Sequence, residues 1–146
     1  MPNILVTGAK GQLGSEIRVL SAKSESTFFF TDSDVLDITD KKAVESFVVT
    51  NQIEVVINCA AYTAVDKAEE DETNADKVNH LAVKYLAEIS KDRNIKLIHV
   101  STDYVFDGKN YKPYVEDDSV NPQSVYGATK LAGEEAIKEI SPKNSI

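Results

Sequence analysis

Val6-Thr7-Gly8-Ala9-Lys10-Gly11-Gln12-Leu13-Gly14 ends one kind of sequence and begins another. The residues before it, Asn3-Ile4-Leu5-Val6-Thr7, form a short apolar β run. Those after it, from Gly11 to about Lys23, place Leu13, Ile17 and Leu20 at helical spacing on one face. The glycines are spaced G-x-x-G-x-x-G. Small residues let a chain turn tightly and approach a pyrophosphate, and a following helix offers free N–H groups and the positive end of its dipole. Three spaced glycines are weak on their own, because ordinary turns and helix starts also use glycine. Their position between a strand and an amphipathic helix makes a dinucleotide turn the better reading.

Working outward, short apolar runs alternate with longer helical ones. Thr27–Thr31 reads as a second strand, Val35–Ile38 as a short edge strand, Ile53–Asn58 as a strand covered on both faces, and Lys96–Ser101 as the last. Thr39 is placed to cap a helix whose stripe is Ala43, Val44, Phe47 and Val48. A long helix is expected from about Thr73 to Arg93, and another from near Ser124 to Ile140. The tail from Ser141 to Ile146 reads as a helix stop and little else. Strands separated by helices imply right-handed crossovers and an α/β, Rossmann-like, doubly wound parallel sheet. Numbered along the sequence, its five strands are expected in the order 3-2-1-4-5, with the last lacking a neighbour on one side. Ligands of such sheets sit at the carboxyl ends of the strands, near the point where strand order reverses.

Composition narrows the functional classes. The chain has 146 residues, 42% hydrophobic and 27% charged, with six Gly and four Pro, which excludes disorder and low-complexity repeats. A formal charge of −8 argues against nonspecific nucleic-acid binding. No apolar run approaches the roughly 18 residues of a membrane span, and no secretory signal is visible. A single cysteine, Cys59, fits a reducing compartment, so a cytoplasmic location is expected.

Several residues carry candidate chemistry. Asp32 lies 18 positions past Gly14, where a carboxylate accepts hydrogen bonds from an adenine ribose and repels a 2′-phosphate. Lys10 pulls the other way, since a cation in the turn neutralises that phosphate. NAD and NADP therefore both remain open. Tyr126 and Lys130 are one helical turn apart. A cation so placed stabilises a phenolate, which suits a tyrosine to exchange a proton with a carbonyl or alcohol oxygen. Taken alone, such a pair is mostly surface decoration. It gains weight from Thr102 at the end of the preceding strand, whose hydroxyl can stabilise charge on a substrate oxygen. His80 and His99 lack metal-ligand spacing and read as structural, so no metal is expected. The acidic cluster from Asp66 to Asp76 reads as a solvated helix entrance.

On the glycine turn, Leu36-Asp37-Ile38-Thr39-Asp40, Asn58 to Glu69, Ser101 to Gly108 and Tyr126-Gly127-Ala128-Thr129-Lys130, the chain resembles the extended short-chain dehydrogenase/reductases. Within them it is most similar to the dTDP-4-dehydrorhamnose reductase branch. The resemblance implies a catalytic set of Thr102, Tyr126 and Lys130. It also implies a cofactor site of Gly8, Lys10, Gly11, Gln12, Leu13 and Gly14 at the pyrophosphate, with Asp32, Asp37 and Ile38 by the adenosine. Ala60, Ala61 and Tyr62 would line the floor, and Tyr126 and Lys130 would meet the cofactor as well. The activity implied is reduction of the 4-keto group of a dTDP-linked 6-deoxysugar by NADPH or NADH, and the resemblance makes a homodimer through the long helix a candidate assembly. A dehydratase or epimerase with the same machinery is the alternative, but elimination would call for Asp-Glu after Thr102, where Asp103-Tyr104 stands. An idle NADP-binding regulatory subunit is another. Family chains are roughly twice this length, so residues 1–146 are expected to be an NAD(P)-binding Rossmann domain without the later strands and the substrate domain. Alone it is expected to be inactive.

Overall fold

The computed structural model describes all 146 residues. Its sheet grows from the first strand. β1 (Asn3–Thr7) pairs in parallel with β2 (Thr27–Thr31) on one side and β3 (Val55–Asn58) on the other, and β4 (Lys96–His99) lies beyond β3. These runs are too short to bury themselves as helices, and their side chains alternate between two covered faces. Helices α1 (Gln12–Ser21) and α2 (Lys41–Thr50) make the first crossovers. The chain then runs through α3 (Val65–Ala68), α4 (Glu72–Asp76), α5 (Ala82–Arg93) and α6 (Val125–Ile140). Leu5, Val56 and Leu97 from the strands meet Val44, Val83 and Leu86 from the helices in one core.

With its third strand left out, the order read from sequence is the observed β2-β1-β3-β4. Val35–Ile38 forms no strand. Val35 and Leu36 both donate backbone N–H groups to Asp32 O, at 2.9 and 2.8 Å, which turns the chain before a ladder can start. Leu36 and Ile38 still bury their side chains in the core. The tail differs in the opposite sense. Leu97 N donates to Asn144 O, Ile146 N to Leu97 O and His99 N to Ile146 O, so residues 144–146 lie parallel to β4 along the edge expected to be free.

Three local expectations also shift. Asp40, not Thr39, caps α2, accepting from the N–H groups of Lys42 and Ala43, because Thr39 is held by Asp37 Oδ1 through its own N–H and hydroxyl. Of α1 only Gly14 is buried, and Leu13 and Leu20 are exposed. The helix is anchored instead by its first turn and by Arg18, whose guanidinium stacks 4.1 Å from the Phe30 ring centre. The long helix is interrupted by a π turn, Lys77–Leu81, between α4 and α5, and ends with Asn94 in the left-handed conformation that Asn tolerates.

The π turn presses against α6. The Asn79 carbonyl occupies the space where a Cβ on Gly133 would stand, well inside van der Waals contact. Gly133→Ala must part the two helices. It should lower stability by about 1–3 kcal/mol, read as an earlier urea midpoint; an unchanged midpoint would mean that the helices separate freely.

Candidate active site

A cleft of about 680 Å³ opens where the carboxyl ends of β1 and β3 meet, within the size range of small-molecule sites. Gly8 makes it possible. Its φ is +63°, and a Cβ there would fall 2.6 Å from Ala60 N. Only glycine combines that backbone with that approach. At Gly14 a Cβ would stand 2.6 Å from Ala9 Cα, so α1 starts hard against the turn. The N–H groups of Gln12, Leu13 and Gly14 have no acceptor in the protein, and Gly11 offers no side-chain cap. Such a row of orphan donors at a helix start suits an anion, and the residues present fit a pyrophosphate.

Gly8, Gly11, Gln12, Leu13 and Gly14 form one wall of the cleft, Asp32, Asp37 and Ile38 a second, and Ala60, Ala61 and Tyr62 the floor. Asp37 accepts from Thr39 Oγ1 at 2.7 Å and Thr39 N at 2.9 Å, and these bonds hold its carboxyl below the usual range. Thr102, Tyr126 and Lys130 do not line this cleft, and neither does Lys10. Its ammonium leaves the cleft and pairs with Asp34 at 2.7 Å, both side chains being well exposed. The floor is tied down by a residue the sequence reading passed over. Asn79, buried in the π turn, accepts from Tyr62 N and donates to Tyr62 O and Thr129 Oγ1. The only signal was an amide within an otherwise apolar helix face.

The second group of candidates lies at the end of the neighbouring strand. Thr102 Oγ1 accepts from Tyr104 N at 3.2 Å and so caps a 3₁₀ turn, Asp103–Val105. That turn packs on the start of α6, with the Tyr104 ring edge-on to Tyr126 at 5.5 Å between centres. Ser124 caps α6 through Gly127 N, and Glu69 accepts from Val125 N, which gives one member of the acidic cluster a structural task. Thr102 and Tyr126 thus both neighbour Tyr104. Lys130, one turn further, is 2% exposed. Its Nζ donates to Val100 O at 2.6 Å and lies 3.4 Å from His99 Nε2, and no carboxylate lies within 4.0 Å. Burial pushes its pKa down to about 8, with Glu134 opposing. Burial and then the Lys130 charge push His99 down to about 3. Cys59 has no activating neighbour, and burial raises its thiol.

A glycine-turn cleft at the switch point of a parallel sheet, beside a Tyr-x-x-x-Lys helix, defines a Rossmann-type domain of the dehydrogenase/reductase and epimerase kind. The family model described as the RmlD substrate binding domain matches residues 2–146, and the chain belongs to that family. A dTDP-4-dehydrorhamnose reductase of Aggregatibacter actinomycetemcomitans is 42% identical over the whole chain and half of its own length. A Mycobacterium tuberculosis protein of the same name is 42% identical over 98% of the chain and 48% of its own. The crystal structure of a Clostridium acetobutylicum dTDP-4-dehydrorhamnose reductase superposes with a TM-score of 0.94 at 45% identity, covering 98% of this chain and 51% of that one. A Bacillus anthracis reductase of this name, in complex with NADP, gives 0.91 at 36%, covering 95% and 50%. The chain thus spans about half the length of the relatives it matches.

The depressed His99 pKa has a thermodynamic consequence. The unfolded chain takes up this proton near pH 6.5, whereas the folded chain resists until about pH 3, so stability falls as pH drops through that window. Between pH 7 and pH 5 the native sequence should lose on the order of 2 kcal/mol that His99→Gln does not lose. Urea midpoints of both proteins at the two pH values measure this. Equal losses would mean that His99 titrates normally in the fold.

Proposed function

We propose that residues 1–146 are the dinucleotide-binding half of an NAD(P)H-dependent reductase that converts dTDP-4-dehydro-L-rhamnose to dTDP-L-rhamnose. The observation that carries this reading is Lys130, buried without a carboxylate partner one turn from Tyr126. A lysine is almost never fully buried unless paired, and keeping one so costs stability. Chemistry explains what packing does not. The names of the relatives supply the substrate class, and the NADP complex of the Bacillus anthracis structure supplies the cofactor class.

The reduced nicotinamide would supply the hydride. The chain's own residues do the rest. The orphan N–H groups of Gln12, Leu13 and Gly14 would hold the pyrophosphate, and Asp32 on the cleft wall would meet the adenine ribose. Tyr126 gives its phenolic proton to the substrate O4 as that oxygen gains charge. The Thr102 hydroxyl hydrogen-bonds the same oxygen and steadies the charge. Lys130 would hold the nicotinamide ribose and, when protonated, would stabilise the phenolate left on Tyr126. The sugar nucleotide itself would be held mostly by the rest of the longer enzyme.

Tyr126→Phe in the full-length enzyme keeps the ring and removes the proton donor. Turnover, followed as loss of NADPH absorbance with dTDP-4-dehydrorhamnose, should fall by about 10²–10⁴-fold with cofactor affinity little changed. A variant that keeps most of its turnover would sink the assignment of the acid. The 146-residue chain by itself should bind NADPH and NADH weakly in calorimetric titration and show no sugar-nucleotide reduction. Steady turnover by this chain would show that the pocket is complete without the remainder.

A further inference from the structure

A row of polar side chains crosses the carboxyl end of the sheet in strand register. Thr7 on β1 stands opposite Asn58 on β3, and Asn58 opposite His99 on β4. Thr7 Oγ1 donates to Asn58 Oδ1 at 2.6 Å, Asn58 Nδ2 lies 3.0 Å from His99 Nδ1, and His99 Nε2 lies 3.4 Å from Lys130 Nζ. The reaction proposed above uses only the last member.

The direction of these bonds is dictated from one end. The Ala60 N–H can only donate, and its acceptor is Asn58 Oδ1 at 3.2 Å. Reversing the amide would set an NH₂ group against that N–H. With Oδ1 in place, Nδ2–H faces His99 Nδ1, which must then be bare. A neutral imidazole carries its single proton on the other nitrogen. The resulting Nε2–H faces Lys130 Nζ. An ammonium has no lone pair to receive it, whereas an amine does.

We propose that Asn58 and His99 are a positioning pair for Lys130, the amide locking the imidazole in its Nε2–H tautomer so that the ring favours the uncharged lysine over the ammonium. Burial of Lys130 acts in the same sense. Of the ionisable groups on the surrounding elements, Tyr126 and Glu134 on α6, Cys59 after β3 and Asp103 in the 3₁₀ turn, Glu134 is the one whose charge bears on Lys130, and it favours the ammonium. Glu134 is itself oriented by the Ser101 hydroxyl. The row links the glycine turn, through Thr7 and Ala60, to the charge of Lys130. Its relevance to reduction rests on the reading of Lys130 given above, but the tautomer is a property of the free chain.

The test is a long-range ¹H–¹⁵N spectrum of the cofactor-free 146-residue chain at pH 7. His80, the only other histidine, is assigned with His80→Gln. The expected pattern for His99 is the Nε2–H tautomer, and an Nδ1–H pattern overturns the proposal. A ¹³Cε-lysine titration adds a sign. In His99→Phe the opposing donor is gone, so the Lys130 midpoint should move up; a downward move or none means that the ring had not been opposing the ammonium. If that variant does not fold, Asn58→Asp decides. Its carboxylate keeps Ala60 N and Thr7 bonded but can only accept, so Nδ1 should become protonated, in the neutral ring or the imidazolium, and an Nδ1 that stays bare overturns the proposal. Titration with NADH separates the two readings. A chain with the Nε2–H tautomer that binds no NADH keeps the pair and loses the cofactor assignment.

Discussion

The backbone of Gly8 lies against that of Ala60 with no room for a methyl group between them, and the rest of the site follows from that approach. It lets the ends of β1 and β3 converge, which sets the depth of the cleft. It turns the chain so that α1 can begin at once, with Gly14 packed on Ala9 in the same manner. Because α1 starts so close, its first N–H groups open into the cleft rather than into bulk water. Ala60, the residue Gly8 lies against, donates its N–H to Asn58 Oδ1 two residues earlier, and that local bond orients the polar row behind the cleft. The conformational freedom of one glycine therefore governs the anion cradle, and the polar row begins at the same point of contact.

The two ends of the sheet are under different demands. The interior is apolar and interlocked, with Leu5, Val56, Leu97 and Leu86 almost wholly buried. At the carboxyl end and on the helices beside it, the buried polar residues Thr7, Thr31, Asn58, Asn79, Thr129 and Lys130 are bonded to one another, to His99 or to backbone, and Lys130 alone among them is ionisable. A satisfied buried network is close to neutral for stability, but one that leaves a charge without a counter-charge is not. A lysine brought from its ordinary value to about 8 corresponds to roughly 3 kcal/mol, a sizeable share of the 5–15 kcal/mol that holds a typical domain together. Packing alone would have replaced that lysine with leucine.

The glycine turn, the strand order and the lining of the cleft were legible in the sequence because each is written locally, as spacing within a few residues or as the alternation of short and long apolar runs. Val35–Ile38 has the composition of a strand, and what stops it is a turn closed on the Asp32 carbonyl, which no side-chain pattern records. The tail after Pro142 has too few residues to show a period, yet the free edge of β4 gives its backbone a partner. The π turn needs one residue more than an α turn, and the glycine it presses against, Gly133, lies more than fifty residues away along the chain. His99 is the sharpest instance. As a lone histidine in an apolar strand it reads as structural, and only the register of three strands with α6 reveals what its two nitrogens face.

Charge at the adenosine end of the cleft shows the same dependence on pairing. Asp32 and Lys10 pull in opposite directions when read as types, one against a 2′-phosphate and one for it. In the fold Lys10 is turned onto Asp34, while Asp32 and Asp37 remain on the cleft wall. The local field is therefore mainly that of carboxylates, with Lys10 already paired and Lys77 acting on Asp37. The pair is exposed on both sides, and such pairs are worth about 0–1 kcal/mol, so it is a weak tether rather than a fixed part of the wall. A dianion arriving beside Lys10 could compete for it, whereas a bare ribose would leave it in place. Any discrimination between the two nicotinamide cofactors that runs through Lys10 then depends on how firmly Asp34 holds it.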